Sequence, residues 1–462
     1  MHRLLNIAIT RIPGRQNKIF FLLVLAGSIL LLQPLRSQTF TEVDTITYRL
    51  YVEKNWDELI LAGKSALKED FDYYYLRMRI GIAFYEKKYY KAAQVHFKKA
   101  LEFNTSDPVA SEYLYYSYLF GRQTQQAALL YREFPASLKE GIPDPGLKIV
   151  DRISVEYLYN KTFTDEIIDD TTEFRLAPYG VHIITRDFHN LNISLHHFMH
   201  PGTSFTHAYT YLGKSNFYHY DDGIDSFGID GLKVSQHQYY LSPSFTFQGG
   251  LVISPYFHFL YVGYQLPDLT AGGPGPGGGN IVLNDYYMSQ MVGGLSLVKY
   301  QGSVSIRLGA VYSNLNNVNQ FTGSGGLTWF PMGNPDVYLG ASLHAHMDDM
   351  NTGNANLVQD VLFGYGIASK LWIEISGAYG KMRNYTESNG YIVYNGIDWM
   401  RSKTIINFMV PLTEKGSVIY TGVRFAQYQS QGITFDPALA DNEFNKLTYN
   451  SLSIFGGLSW KF

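Results

Sequence analysis

Two histidines, His344 and His346, stand two residues apart in "LHAHMDD", with Asp348 and Asp349 directly after them. On an extended strand, side chains at i and i+2 share a face, so this pair with a nearby carboxylate could ligate a metal ion. A second set, His196, His197 and His200 in "SLHHFMH", has no carboxylate at fixed spacing. "YDDGIDSFGIDG" gathers Asp221, Asp222, Asp225 and Asp230 among glycines. Carboxylates and glycine can hold calcium, but this is not the EF-hand spacing, and solvated loop acids account for it. "GGPGPGGG" (Gly272 to Gly279) is too broken by proline, and too far from any helix start, to cradle phosphate. A nucleophile needs a base within hydrogen-bond reach, which spacing along one strand does not supply here. These motifs predict polar wall and loop residues, with no metal, no cofactor and no enzymatic activity.

The elements carrying them alternate with a period of two. In "DVYLGASLHAHM", Val337, Leu339, Ala341, Leu343, Ala345 and Met347 take one face. Tyr338, Gly340, Ser342, His344 and His346 take the other. In "GSVSIRLGAVYS", Val304, Ile306, Leu308, Ala310 and Tyr312 oppose Ser303, Ser305, Arg307 and Ser313. Such segments recur from Lys148 to the end and are longer than the five or six residues usual in soluble sheets. Short turns ("KYQGS", "FPMGNPD", "LTEKGS") alternate with longer polar loops such as "KMRNYTESNGYIVYNG". The last segment, "TYNSLSIFGGLSWKF", aligns Leu452, Ile454, Leu458, Trp460 and Phe462 against Ser451, Ser453 and Ser459.

This pattern predicts a closed transmembrane β-barrel, since only closure satisfies every backbone group in lipid without a spanning helix. Ser342, His344, His346 and Arg307 are then lumen-facing polar residues. Fourteen strands can be placed from about Glu173 onward. Arg152–Asn160 is a fifteenth candidate, lying outside the barrel or making a barrel of 16. The terminal Leu458, Trp460 and Phe462 resemble the assembly signal of bacterial outer-membrane barrels. That resemblance implies the barrel assembly machinery and outer-membrane lipid as partners.

The composition fits. Charged residues are only 17%, there are 38 Tyr and 43 Gly, and net charge is -3, which gives no electrostatic basis for binding nucleic acid. With no cysteine, a disulfide framework, a thiolate metal site and a lipoprotein anchor are excluded. Arg3, Arg11, Arg15 and Lys18 precede the apolar run "IFFLLVLAGSILLL", which predicts a signal peptide over 1–37.

From about Thr41 the apolar spacing is helical. "EKNW" (Glu53 to Trp56) returns as "EKKY" (Glu86 to Tyr89), and Ala93 and Phe97 return 34 positions on as Ala127 and Tyr131. This period, with small residues between bulky ones, resembles the tetratricopeptide repeat. Gly81, Phe84, Ala93, Phe97 and Ala100 fall on that family's small and aromatic packing positions, extended by Ala127 and Tyr131. The predicted organisation is a periplasmic helical domain at 41–140, a linker at 141–148 and the barrel at 149–462.

A repeat segment joined to such a barrel resembles the YaiO-like barrels and, more distantly, the polysaccharide-export porins, with a Bacteroidota-like character. The resemblance implies a conduit or export component for a polar substrate such as a glycan, with a periplasmic protein partner held by the repeats. The alternative is a non-transporting scaffold that docks periplasmic partners. A lipid-modifying outer-membrane enzyme ranks third.

Overall fold

The computed structural model describes residues 39–164, 180–224, 226–268, 282–367, 370–413, 416–435 and 446–462. The predicted signal peptide, Asp225 and Gly272 to Gly279 lie outside the described residues.

Seven helices come first: α1 (Phe40–Val52), α2 (Trp56–Lys68), α3 (Tyr74–Glu86), α4 (Tyr90–Phe103), α5 (Pro108–Phe120), α6 (Thr124–Glu133) and α7 (Ala136–Gly141). The chain signals where they start. Thr39 and Glu42 form a capping box on α1, and Asp107 accepts from the Ala110 N–H with Pro108 in the first turn of α5. First helices of successive hairpins begin at 40, 74 and 108, and second helices at 56, 90 and 124, each 34 residues after the last. Small residues set the spacing between helices. A Cβ on Gly81 would lie 2.7 Å from the Phe97 ring, and one on Gly63 would lie 2.5 Å from Ile80. Phe84, Ala93, Phe97, Ala100 and Ala127 are buried in one continuous core with Leu59, Leu76 and Tyr115. Tyr131 lies half-buried at its edge. The connection after α7 buries Ile142 in the same core, and the Tyr115 hydroxyl donates to the Pro143 carbonyl.

The barrel strands are β1 (Val150–Phe163), β2 (Gly180–His200), β3 (Thr203–Asp221), β4 (Ser226–Thr246), β5 (Leu251–Pro267), β6 (Leu283–Gln301) and β7 (Val304–Ser313). They continue as β8 (Gln320–Trp329), β9 (Val337–Met347), β10 (Asn356–Ile367), β11 (Leu371–Met382), β14 (Trp399–Pro411), β15 (Val418–Gln431) and β17 (Lys446–Lys461). Three short pieces stand apart: β12 (Tyr385–Glu387) pairs with β13 (Ile392–Tyr394), and β16 (Ile433–Thr434) extends the end of β2. All 14 barrel strands are antiparallel to their neighbours. The ring closes because β1 pairs with β17 from Arg152↔Lys461 to Phe163↔Asn450, and with β2 on its other edge.

Arg152–Asn160 is therefore the first strand of the barrel, and 13 strands follow from Gly180. The sequence offers more alternating segments than the barrel uses, because alternation continues past the membrane. Strands β2 to β6 run 17–21 residues, whereas β7 to β11 run 10–12. About 9–11 tilted residues cross a bilayer, so the long strands extend the wall well beyond it at the long-loop end.

Outward rows are apolar and exposed: Ile153 and Val155 on β1, Ile306 and Leu308 on β7, Leu339 and Leu343 on β9, Ile454 and Leu458 on β17. Inward rows on these strands carry Ser154, Asn160, Arg307, Ser342 and His344, with Ser451, Ser453 and Ser459 buried, and a few larger side chains such as Leu158 and Phe455. A closed barrel with this outer band spans a membrane. Trp329, Trp460 and Phe462 lie on the outer face at the short-turn rim, and the Phe462 N–H donates to the Asp151 carbonyl at 3.0 Å.

Candidate functional site

The segment between β11 and β14 folds back into the lumen. Its sequence, "RNYTESNGYIVYNGID", reads as an external loop, but it also carries the marks of a hairpin: alternating Tyr, Thr, Ile and Val around an Asn-Gly turn. Ser388, Asn389 and Gly390 all take positive φ, which reverses the chain between β12 and β13. Only glycine fits at the third position, where a Cβ would meet the Tyr256 ring at 2.5 Å.

On its own side of the barrel the hairpin is held by charge. Lys403 Nζ donates to the Glu387 carboxylate and, at 3.0 Å, to the Tyr394 hydroxyl. Arg383 pairs with Asp348 at 2.8 Å. On the opposite wall it is held by neutral side-chain bonds. Tyr391 donates to Asn192 at 2.7 Å, Asn395 donates to Gln290 at 2.9 Å, and Gln236 donates to Asn395 at 3.1 Å. Tyr240 and His258 donate to the Asn389 and Gly390 carbonyls at 3.1 and 2.8 Å. Tyr385 packs with Val358, Met382 and Met400, while Tyr391 and Val393 pack on Tyr240, Tyr256 and Leu260.

The hairpin separates two chambers. The one on the long-loop side has a volume of about 430 Å³, with walls of Ile183, Leu212, Leu232, Val262, Met288 and Met400. Lys214, Arg424 and Asp398 also line it. The chamber on the short-turn side is about 280 Å³ and polar, lined by Arg307, Ser342, His344, Asp360, Glu374 and Lys403. An apolar wall on the lumen side departs from the polar-inside rule that reads well for β7 and β9.

The histidine motifs are dispersed by the fold. His344 bonds to Asp360 across the β9–β10 ladder. His346 is fully buried, donating through Nε2 to the Arg383 carbonyl at 2.9 Å and accepting from Thr322 at 2.8 Å through Nδ1. With both nitrogens used, His346 is a support for the root of the hairpin. Its hydroxyl neighbour is buried too, and no carboxylate backs the ring, so the Thr322–His346 contact is not a nucleophile and base. His196 faces Asp151 at 3.2 Å, His197 faces outward against His207 at 3.1 Å, and His200 meets Arg132 at the short-turn rim. Asp230 pairs with Arg186. No group of three or more His, Asp or Glu suited to a metal occurs among the described residues.

The helical stack sits against the short-turn mouth. The Lys91 N–H donates to the Gly333 carbonyl at 2.7 Å, and its ammonium lies 4.4 Å from the Phe330 ring centre and 5.4 Å from that of Tyr300. Burial pushes this lysine down to about 8. Arg122 stacks over Trp372 at 4.3 Å, and Gln125 donates to the Pro201 carbonyl at 3.3 Å and accepts from Thr246 at 3.0 Å. The turns permit this approach: Gly302 and Gly333 have positive φ, and a Cβ on Gly302 would lie 2.8 Å from Val95. Turn composition predicts such glycines, but nothing in the sequence indicates that α4 would press on them.

Neither a protein-family model nor a curated protein matches this sequence. Among solved structures the chain is similar to a Pseudomonas aeruginosa FadL homologue, at 10% identity over 68% of this chain and 90% of that one, with a TM-score of 0.41. It is similar to the Ralstonia pickettii toluene transporter TbuX, at 9% identity over 73% and 94%, TM-score 0.41. The Pseudomonas putida toluene transporter TodX matches at 9% identity over 72% and 92%, TM-score 0.40. The class rests on this chain's own geometry: a 14-stranded membrane-spanning β-barrel with an internal hairpin and a helical cap.

Proposed function

We propose that the chain is a gated conduit of a bacterial outer membrane, with hairpin 383–398 as its gate. The observation that supports this best is the asymmetry of the hairpin's anchors. The near side is fixed by Lys403–Glu387 and Arg383–Asp348, whereas the far side is held by neutral hydrogen bonds and aromatic packing. Net contributions of such bonds are each about 0.5–1.5 kcal/mol, so the far side can release as a unit while the root stays in place. The apolar chamber favours a small cargo with an apolar body over the glycan implied by likeness to polysaccharide-export porins. In this reading the helical stack lies in the periplasm. Its 34-residue spacing supports a tetratricopeptide-type role in receiving a partner at the mouth, as in a YaiO-like, Bacteroidota-type architecture.

The test is conductance of the reconstituted full chain. Replacing residues 385–396 with a short Gly-Ser link should raise single-channel conductance several-fold over the parent. The double variant Tyr391→Phe, Asn395→Ala should produce brief openings. If the link variant folds, by heat-modifiable migration, and conducts no more than the parent, the conduit reading falls. The scaffold reading would then stand, favoured by the helical stack across the short-turn mouth.

A further inference from the structure

The short-turn mouth carries an aromatic collar. Tyr338 and Trp372 lie flat on the wall because β10 has glycines beneath them: a Cβ on Gly364 would overlap the Tyr338 ring, and one on Gly366 would stand 2.8 Å from the Trp372 ring. Phe330 continues the collar, 6.2 Å from Tyr338 between ring centres. The Tyr338 hydroxyl donates to Glu374 at 2.6 Å, and Glu374 lines the polar chamber, so the collar is the short-turn end of that chamber.

Two cations of the helical stack occupy the collar. The Lys91 ammonium lies over the Phe330 and Tyr300 rings and makes no hydrogen bond or ion pair to a described residue, although Lys91 is only 4% exposed. Arg122 lies over Trp372, with Asp336 in charge range. Lys91 and Gln125 hold equivalent places, 34 positions apart, in the first turns of α4 and α6. The same place in the first hairpin is Asp57, which bonds Lys87 inside the stack. The second and third hairpins therefore dock through matching positions, and the first does not. With Gln125 on Pro201 and Thr246, and Val95 against Gly302, the stack meets the mouth from the β2–β3 turn round to β11.

This seam is built to part. No acid–base pair crosses it among the described residues. Like charges meet in it, Lys91 with Arg122 and Lys98 with Lys299. Parting a buried ion pair strands an anion, whereas a cation leaving a ring face strands none. The connection is anchored at both ends: the Pro143 carbonyl accepts from Tyr115, and the Ile149 carbonyl accepts from the Phe198 N–H at 2.8 Å. Between them Gly146 takes a positive φ, beside a cleft of about 220 Å³ bounded by α6 and the rim.

We propose that the helical stack is a reversible plug of the polar chamber, latched by Lys91 and Arg122 on the aromatic collar and hinged at Asp144–Lys148. The path then has two closures in series, hairpin 383–398 and the stack, with the polar chamber between them. As regulation this rests on the conduit reading, but access to the chamber is measured without any flux.

The chain has no cysteine, so Ser342→Cys introduces a single thiol, in the polar chamber. Its labelling by a bulky maleimide would be timed in the purified full chain. Lys91→Met with Arg122→Gln should speed labelling about ten-fold, the weight of two cation–π contacts. Phe330→Leu with Trp372→Leu, which leave both cations in place, should do the same, and all four changes together should add little more. Equal rates in the parent and both latch variants, each folded by heat-modifiable migration, would overturn the plug. In the chain with residues 385–396 replaced, and without Ser342→Cys, the latch variants should lengthen channel openings. Joining Gln125→Cys to Thr246→Cys with a short bis-maleimide should abolish them. Faster labelling without conductance in any variant would keep the plug and overturn the conduit. Conductance that the cross-link leaves unchanged would do the reverse.

Discussion

The helical stack and the barrel bury comparable side chains by opposite means. In the stack, hydrogen bonds are local and the sequence spends small residues, Gly63, Gly81, Ala93 and Ala100, on letting helices approach. In the barrel, hydrogen bonds link distant segments, ending with β1 to β17, and side chains sort by alternation into lipid and lumen rows. A helix–helix contact therefore fails by crowding, whereas a barrel wall fails by solvation. The same substitution type should have different consequences in the two regions.

The sharpest contrast is within one strand. Leu343→Arg places a charge on the lipid face and should cost about 2–4 kcal/mol, read as lost folding yield in liposomes. Ser342→Arg, on the chamber side, should fold normally. Equal yields would mean that the outer row of β9 does not face lipid. Next in size, Gly81→Leu drives a side chain into Phe97 and should cost about 1–3 kcal/mol in the stack. Barrel migration on a gel should be unchanged, so the loss appears only as weakened hydrogen-exchange protection of α3 and α4.

The smallest effect is a pH slope confined to the stack. His96 is buried against Phe84, with Arg77 3.4 Å away, and burial first and the Arg77 charge second push it down to about 3. Neutral in the fold and near 6.5 when unfolded, it binds more protons in the unfolded state. Its contribution is complete above about pH 6.5 and is lost as pH falls toward 3, by about 1.4 kcal/mol per unit at most. Asp72, held low by its Arg77 hydrogen bond, acts in the same direction below its ordinary range. His96→Asn, which keeps an acceptor for Arg77, should flatten hydrogen-exchange protection of α3 and α4 between pH 6.5 and 4. An unchanged slope would show that His96 is not neutral in the fold.

Both architectures are legible in the sequence because each follows a short period. Helix starts at Thr39 and Asp107 and the 34-residue return of Ala93 and Phe97 reflect local geometry, as does the two-residue alternation on β7, β9 and β17. The strand count is less legible, since alternation does not mark where lipid ends; β2 to β4 keep alternating far beyond it. The "TESNGYIVY" stretch carries a hairpin signal, but a hairpin pattern says nothing about whether it points outward or inward.

Periodicity is written in the chain: helical spacing in front, two-residue alternation behind, and with them which residues share a face. Those properties depend on backbone geometry a few residues wide. Long-range packing set the rest: hairpin 383–398 crosses the lumen, His344 and His346 take different partners, and Arg424 lies over the Phe188 ring. The contacts responsible, Tyr391 to Asn192, Asn395 to Gln236 and Arg424 to Phe188, join residues more than 100 positions apart. They exist only once ring closure brings opposite walls within reach, and no local period encodes that distance.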